Sequence, residues 1–130
     1  MDEGERRITV EIASVGLVEV VLTGENPDTA DALWDNLPAE SEASLWGDEI
    51  YFELPFHHPA EDARAYVDVG DVAWWPSGSC LCLFFGPTPA SDGEGPVAAS
   101  PVNVIGRISG DLDILRKVDY GDRIVVDRGL

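Results

Sequence analysis

Lysine is almost missing from this chain, in which Lys117 is the only one and the remaining cations are arginines. Lys and Arg together number 8 against 25 Asp and Glu, so the formal net charge is −17. A chain this poor in cations has no basic face for a phosphate backbone, which argues against nucleic acid as a partner. Carboxylate excess with lysine loss is typical of proteins in molar salt, where the Debye length falls to about 3 Å and self-repulsion costs little stability. We therefore predict a halophilic protein, with an acidic protein of ordinary salt tolerance as the alternative.

Long hydrophobic runs are also missing. No apolar stretch reaches the roughly 18 residues of a membrane span, and no apolar region follows the charged N-terminal residues as it does in a signal peptide. The sequence therefore predicts no contact with a membrane and a cytoplasmic location. Its 130 residues suit one domain that covers 1–130, with no linker and no internal repeat.

Cysteine and histidine are too scarce to form a metal site. The two cysteines, Cys80 and Cys82, would stand side by side on the same face of a strand, where the geometry for a disulfide between them is poor. A structural zinc site needs about two more ligands, and the only histidines, His57 and His58, are adjacent in a loop-like segment. We expect cysteines that pack as small buried hydrophobic side chains, and neither a metal nor a cofactor.

What the sequence does contain is a series of short β-like segments. Residues 8–15 alternate apolar and polar side chains, and residues 17–23 follow a glycine as their hairpin partner. Residues 80–85 are apolar throughout, which predicts a strand that is covered on both faces. Two short helices are expected to begin at Asn26 and Asp111, where residue types typical of helix caps precede amphipathic stretches. Because about seven or eight strands do not alternate regularly with helices, we expect an antiparallel closed barrel, with a β-sandwich as the alternative.

Three segments carry a family resemblance: residues 45–55 (LWGDEIYFELP), 67–89 (VDVGDVAWWPSGSCLCLFFGPTP) and 101–126 (PVNVIGRISGDLDILRKVDYGDRIVV). Together they resemble a family of small, uncharacterised prokaryotic proteins with a cyclophilin-like fold, of which this chain looks like an acidic member of haloarchaeal type. The resemblance covers most of the chain, from the first hairpin to the last strand. It implies a mainly β fold, namely a closed eight-stranded cyclophilin-like β-barrel with two short helices.

The resemblance also raises a catalytic alternative. Cyclophilins catalyse prolyl cis–trans isomerisation with an arginine in an F-H-R-type strand, followed by a phenylalanine and a Q-x-G-D-type segment. This chain has no such run: residues 55–59 (PFHHP) carry histidine where the arginine is wanted, and Arg64 and Arg107 are stand-ins only by position in space. Other cyclophilin-like domains are parts of small-molecule enzymes such as 5-oxoprolinase and allophanate hydrolase, which makes a partner protein subunit a further expectation.

Glu49 and Tyr51 are the first candidate pair for a ligand site. They alternate with apolar residues along one strand and therefore share a face, and Trp46 comes just before them. A carboxyl group that is desolvated among aromatic rings can serve as a base or as a polar anchor. The alternative is a glutamate on the barrel exterior beside packed aromatic side chains. Trp75 adds a large ring that either lines the same groove or packs in the core.

Asn103 and Arg107 form the second candidate pair. They lie four residues apart on one strand, which predicts that both side chains point to one face. An arginine within an apolar strand needs a partner, and we expect Glu49, Asp71 or a ligand carboxylate in that role. The loop at 86–96 (GPTPASDGEGP) is longer than a hairpin needs, and it is either the rim of a pocket or an exposed connector.

These observations favour a binding module over an enzyme. Since a small closed barrel is packed solid with side chains, any site is expected on its outer face or at its mouth. We predict an aromatic-lined surface pocket for a small molecule or a peptide, in which at least two of the three segments 46–51, 74–76 and 103–107 converge and Arg107 or Glu49 is the polar anchor. The alternative is a peptidyl-prolyl isomerase with non-standard catalytic residues. The predicted ligand-binding residues are Trp46, Glu49, Tyr51, Trp75, Asn103 and Arg107.

Overall fold

Short antiparallel strands make up most of the molecule. The computed structural model describes residues 5–129, and in this part of the chain the mainly β architecture expected from the sequence is confirmed. Helix α1 (Pro27–Asp35) and a 3-10 helix (Leu112–Lys117) accompany the strands. The strands are β1 (Arg7–Ile12), β2 (Gly16–Leu22), β3 (Ala39–Glu42), β4 (Ser44–Leu45), β5 (Glu49–Glu53), β6 (Arg64–Tyr66), β7 (Asp71–Trp75), β8 (Cys80–Phe84), β9 (Val97–Ser109) and β10 (Arg123–Arg128).

Both helices begin where the sequence predicts them. Helix α1 starts at Pro27, a residue suited to the first helical position because the N–H that it lacks would have no partner there. Asn26 does not cap this helix with its side chain but donates a hydrogen bond to the Val104 carbonyl at 2.8 Å, which ties the helix start to β9. Asp111 does act as a cap, since its side chain accepts a hydrogen bond from the backbone N–H of Asp113 in the 3-10 helix.

The strands pair in the order β3-β10-β1-β2-β9-β7-β8-β5-β4, and β6 pairs with β9 beside this path. All of these pairings are antiparallel, and β1 and β2 form the hairpin that the sequence predicts. The two end strands, β3 and β4, do not pair with each other. Within residues 5–129 the hydrogen-bonded path is therefore open, and the expected closed eight-stranded barrel is not confirmed.

One short stretch of chain supplies both ends of this path. Strands β3 and β4 are consecutive along the chain and are separated only by Ala43. The N–H of Ala43 donates to the Asp122 carbonyl at 2.9 Å, next to β10, whereas Ser44 already pairs with β5. The stretch thus pairs with β10 before Ala43 and with β5 after it.

The sheet buries side chains on both of its faces. The face that carries the main core is called the inner face here, and it includes Leu81 and Leu83 of β8. A second, smaller cluster on the outer face contains Cys80, Cys82 and Phe84 of the same strand. All of β8 is buried, so the predicted strand that is covered on both faces is confirmed. Both cysteines are free thiols and pack in the outer cluster, as predicted.

Strand β9 changes its neighbours along its length. Its second half pairs with β2 and β7, while its first half pairs with β6. Ala98, Val102 and Val104 belong to the outer cluster, so the first half of β9 lies over the outer face of the sheet. This layer forms one side of the site described below.

A bulge at Ile105 redirects the side chains of β9. Asn103 lies opposite Trp74 on one side of the bulge, and Arg107 lies opposite Asp71 on the other side. Directly opposed residues share a face, and Trp74 and Asp71, three apart on β7, are on different faces. The expectation that Asn103 and Arg107 share a face is therefore wrong, because the bulge adds one residue to the alternation.

Candidate functional site

A cavity of about 180 Å³ opens on the outer face of the sheet. Its lining comes from Trp46, from Glu49 and Tyr51 of β5, from Trp75 and Cys82 of β7 and β8, and from residues 98–100 and Val102 of β9. We call it the Glu49 pocket. Two of the three segments that the sequence put forward thus meet in one concavity. The third segment, which carries Asn103 and Arg107, does not line it.

The alternation predicted for β5 places Glu49 and Tyr51 side by side. Ile50 and Phe52, which alternate with them, belong to the main core on the inner face. Tyr51 lies directly opposite Cys82 of β8, and direct partners in antiparallel strands share a face. The thiol therefore stands next to both polar side chains of β5.

Trp46 reaches the pocket through a tight turn that precedes β5. Backbone hydrogen bonds join Trp46 and Glu49 in both directions, at 2.9 and 3.2 Å. Gly47 in this turn has a φ of +60°, and a side chain on it would come within 2.8 Å of Pro89 and 2.9 Å of Thr88. The loop at 86–96 therefore packs behind the turn that carries Trp46, and none of its residues lines the cavity.

Trp75, in the lining of the pocket, is held in a fixed orientation. Its ring meets the ring of Tyr51 edge to face, with 6.2 Å between centroids and 87° between planes. Its indole N–H donates a hydrogen bond to the Ser100 hydroxyl at 2.6 Å, which links β7 to the first half of β9. These contacts fix the aromatic walls before any ligand is present.

The Glu49 carboxyl is the acidic group of the lining. Glu49 is only 6 % exposed, and no salt bridge reaches it in the described residues. Burial raises its pKa to about 7, and a hydrogen bond from the Cys82 thiol lowers it only in part. The carboxyl group therefore changes its charge near neutral pH, where an exposed glutamate is already ionised.

The cysteines beside Glu49 are not activated nucleophiles. Burial raises the pKa of Cys80 to about 11, and burial together with the neighbouring Glu49 charge raises the pKa of Cys82 well above its usual range. Both thiols keep their protons at neutral pH, and a thiol is far less nucleophilic than a thiolate. The pocket thus offers a proton acceptor or donor at Glu49 without a nucleophile next to it.

Asn103 lies away from the pocket, at the interface of β9 with the start of α1. It is fully buried, and its amide donates hydrogen bonds to the Thr29 hydroxyl at 2.9 Å and the Pro59 carbonyl at 3.0 Å. Its carbonyl accepts a hydrogen bond from the Glu61 N–H at 2.9 Å. These contacts use its hydrogen-bonding capacity within the fold.

Arg107 also lies elsewhere. Its guanidinium donates to Asp71 at 2.7 Å and to the Val69 carbonyl at 3.1 Å, and its side chain is 53 % exposed. Of the three partners expected from the sequence, the structure gives Asp71. Arg64 approaches the same carboxylate at 3.6 Å while it holds Glu25 at 2.7 Å. The polar group of the pocket is therefore Glu49 and not Arg107.

Sequence reasoning missed the wall that β9 contributes. Ala98, Ala99 and Ser100 line the cavity, yet they come between a Gly/Pro-rich loop and Pro101, a context typical of irregular chain. Their small side chains leave the space that faces the aromatic residues. A run of small residues directly after the loop was the only local signal.

Within residues 5–129, no group of three or more His, Cys, Asp or Glu side chains is placed to hold a metal ion. None of the helices described there is long and apolar enough to cross a membrane.

Comparison with known proteins agrees with this fold. The family model for Cyclophilin-like proteins matches residues 6–127. The solution structure of a hypothetical protein from Archaeoglobus fulgidus is similar, with a TM-score of 0.85 and 42% sequence identity, and the match covers 99% of this chain and 100% of that chain. The search of curated proteins gives no match. The resemblance drawn from the sequence is confirmed: this chain belongs to the cyclophilin-like family.

Proposed function

We propose that this protein is a binding module that holds a small molecule, or one side chain of a peptide, in the Glu49 pocket. The observation that carries the proposal is a carboxyl group, nine-tenths buried and without a cationic partner, that faces a cavity walled by aromatic side chains. Pockets with mostly apolar walls and a few polar groups are typical of small-molecule sites. A strongly perturbed pKa in such a pocket supports the same interpretation.

A purely structural role explains Glu49 poorly. Burying a charged group without a partner costs several kcal/mol, so a buried carboxylate is normally paired or hydrogen-bonded. The outer cluster around Glu49 is otherwise built from apolar and small side chains, which need no carboxylate to pack. Contact with a ligand accounts for an acid at this position better than packing does.

The volume of the pocket limits its occupant. An apolar protein cavity of roughly 150 Å³ takes up a molecule the size of benzene. The Glu49 pocket, at about 180 Å³, therefore suits a ligand or an inserted group of roughly six to eight non-hydrogen atoms. A longer peptide would have to lie across the surface and insert a single side chain.

The test is a fragment screen read at the pocket. Neutral, cationic and anionic fragments of benzene size, added in molar KCl, are expected to perturb the NMR signals of the Trp46 and Trp75 indoles. Saturable shifts confined to pocket residues support the proposal, and they should weaken in Tyr51→Ala. Glu53→Gln is the matched control, since Glu53 is an exposed carboxylate on the same strand and outside the cavity lining. A panel in which no fragment shifts these signals at millimolar concentration would overturn the proposal.

The isomerase alternative receives no support from the positions of the arginines. Arg64 and Arg107, the two candidates for the missing cyclophilin arginine, are both engaged with Asp71, and neither lines the Glu49 pocket. Prolyl isomerisation needs an electrostatic group beside the reacting peptide bond. The binding module is therefore the function that we propose.

We also infer that the protein is adapted to high salt. Its few arginines are used in ion pairs such as Arg6 with Asp31 and Arg123 with Glu40, each at 2.7–2.8 Å and exposed. The 25 acidic residues far outnumber these cations, so most acidic side chains lack a cationic partner. Salt that screens their repulsion is expected to stabilise the fold.

A further inference from the structure

We propose that the ligand of the Glu49 pocket is a small organic cation, such as a protonated amine or a quaternary ammonium group, whose charge lies against the Glu49 carboxylate. This inference rests on the proposed function, because it names the ligand class of the same pocket. The carboxyl group has no cationic partner in residues 5–129, and the lining contains no arginine, lysine or histidine that could supply one. A cation on the ligand would complete the missing pair.

The walls of the pocket suit a cation with an apolar coat. Trp46, Tyr51 and Trp75 supply three aromatic side chains, and cations are attracted to the faces of such rings. The planes of Tyr51 and Trp75 stand at 87° to each other, so the two rings form a corner rather than a flat stack. Because the Ser100 hydroxyl holds the Trp75 indole, this corner exists without a ligand and binding need not order it.

A metal ion fits the same lining poorly. Calcium takes about six to eight oxygen ligands, and magnesium needs near-octahedral coordination. Glu49 is the one carboxylate of the lining, and no metal-holding group of three or more side chains occurs in the described part of the chain. An organic cation instead brings methyl or methylene groups, whose burial against the aromatic walls is favourable.

The charge of the whole chain favours the same sign of ligand. A formal net charge of −17 gives the surface a negative potential, which repels anions and attracts cations. Molar salt screens this attraction beyond a few Å. Selection between charged ligands then depends on contacts inside the pocket, where Glu49 is desolvated.

The ligand cation and the proton compete for Glu49. Cys82 on β8 and Tyr51 on β5 face the carboxyl, Cys80 lies farther along β8, and the first half of β9 adds no ionisable side chain to the lining. The two thiols stay protonated because burial raises their pKa, so Glu49 is the group that titrates near neutral pH. Since a cation prefers the ionised form, affinity should fall by about tenfold per pH unit once the pH is below the Glu49 pKa.

The experiment compares three probes of nearly equal size and different charge. Choline, its neutral carbon isostere 3,3-dimethylbutan-1-ol and the anion 3,3-dimethylbutanoate are titrated in molar KCl, with the Trp46 and Trp75 indole NMR signals as the readout. At about pH 8.5, choline is expected to bind at least about tenfold more tightly than the neutral isostere, and the anion most weakly. Glu49→Gln should remove the preference for choline while the neutral isostere still binds, and Glu53→Gln should change neither.

The outcomes separate this inference from the proposed function. If the neutral alcohol binds as tightly as choline in the wild-type protein, or if Glu49→Gln leaves the preference for choline intact, the cation assignment is wrong and the binding pocket stands. If none of the three probes shifts either indole signal, the cation assignment is overturned. In that case the fragment screen decides separately whether the pocket binds other ligands. A choline preference that is lost both in Glu49→Gln and below about pH 6 supports the inference.

Discussion

Two buried carboxyl groups in this protein have opposite surroundings. Asp71 is 2 % exposed, and it accepts hydrogen bonds from Arg107 and from the Asp68 N–H at 2.7 and 2.8 Å, with Arg64 at 3.6 Å. Glu49 is 6 % exposed and has no such cation. They lie on β7 and β5, the two strands that flank β8 in the sheet.

This difference in partners identifies Asp71 as the structural acid of the two. Burial raises the pKa of both groups, but at Asp71 the Asp68 amide and the two guanidinium groups oppose that rise. At Glu49 only the Cys82 thiol opposes it, and the pKa reaches about 7. Burial of an acid therefore does not mark a site by itself, whereas burial without a partner beside an open cavity does.

The largest expected effect is that of salt on stability, because salt screens the charges at the surface far more than it affects the two buried acids. Because acidic residues outnumber cationic ones 25 to 8, we expect the thermal midpoint in molar KCl to exceed that in dilute buffer by at least about 10 °C. Circular dichroism at several KCl concentrations measures this, and sucrose at matched osmolarity controls for effects other than screening. A midpoint that does not respond to KCl would contradict the halophilic assignment.

Removing the paired acid should lower stability. Asp71→Ala leaves the Arg107 and Arg64 guanidiniums without their shared carboxylate, and because both guanidiniums are partly exposed to water we expect a loss of about 1–2 kcal/mol in the free energy of unfolding. Urea unfolding in molar KCl measures the loss. The exposed Asp68 provides the control, because Asp68→Ala keeps the backbone N–H that binds Asp71 and should cost little. Equal costs for the two variants would show that Asp71 is not the structural acid.

Removing the unpaired acid, Glu49, should instead raise the free energy of unfolding. The pKa of Glu49 rises from 4.5 to about 7 on folding, so the folded state holds its proton more tightly and the wild-type protein loses stability as pH rises across that range. Glu49→Gln should therefore be more stable than wild type by about 3 kcal/mol above pH 8, and similar to it near pH 4. Unfolding curves at the two pH values, with Glu53→Gln as control, test this. A variant that is less stable at both values would mean that Glu49 has a structural partner.

The smallest expected effect is on isomerase activity, because Arg64 and Arg107 are already engaged with Asp71. A single electrostatic group of the kind that cyclophilins use is commonly worth about 10²–10³ in rate. We expect a protease-coupled assay of proline peptides in high salt to detect weak turnover or none. Arg64→Ala and Arg107→Ala should leave that rate unchanged. Turnover comparable to that of an ordinary cyclophilin, abolished by either substitution, would place an active site at Asp71 instead.

Several parts of this picture followed from local patterns. Alternation along β5 predicts that Glu49 and Tyr51 share a face, and the apolar run of β8 predicts burial on both sides. Pro27 predicts the start of α1. Each of these depends on residues that are adjacent in sequence, whose directions the backbone geometry of one element dictates.

Other parts depended on how elements meet. The bulge at Ile105 separates Asn103 from Arg107, and a strand read as regular gives no sign of it. The change of partner at Ala43, from β10 to β5, depends on two strands that are distant in the sequence. The wall at 98–100 comes from residues whose sequence context resembles a loop.

By itself, the sequence determined the acidic surface, the strand alternation and the burial of β8, since composition and side-chain period act locally. Only the tertiary structure decided which acid is paired. Asp71 and Glu49 both stand at the start of a strand, and nothing beside them in the sequence distinguishes them. The pairing of β7 with β9 brings Arg107 to Asp71, while the first half of β9 brings only small and apolar side chains over Glu49. Long-range contacts set these partners, and for that reason a local pattern could name the candidates but could not rank them.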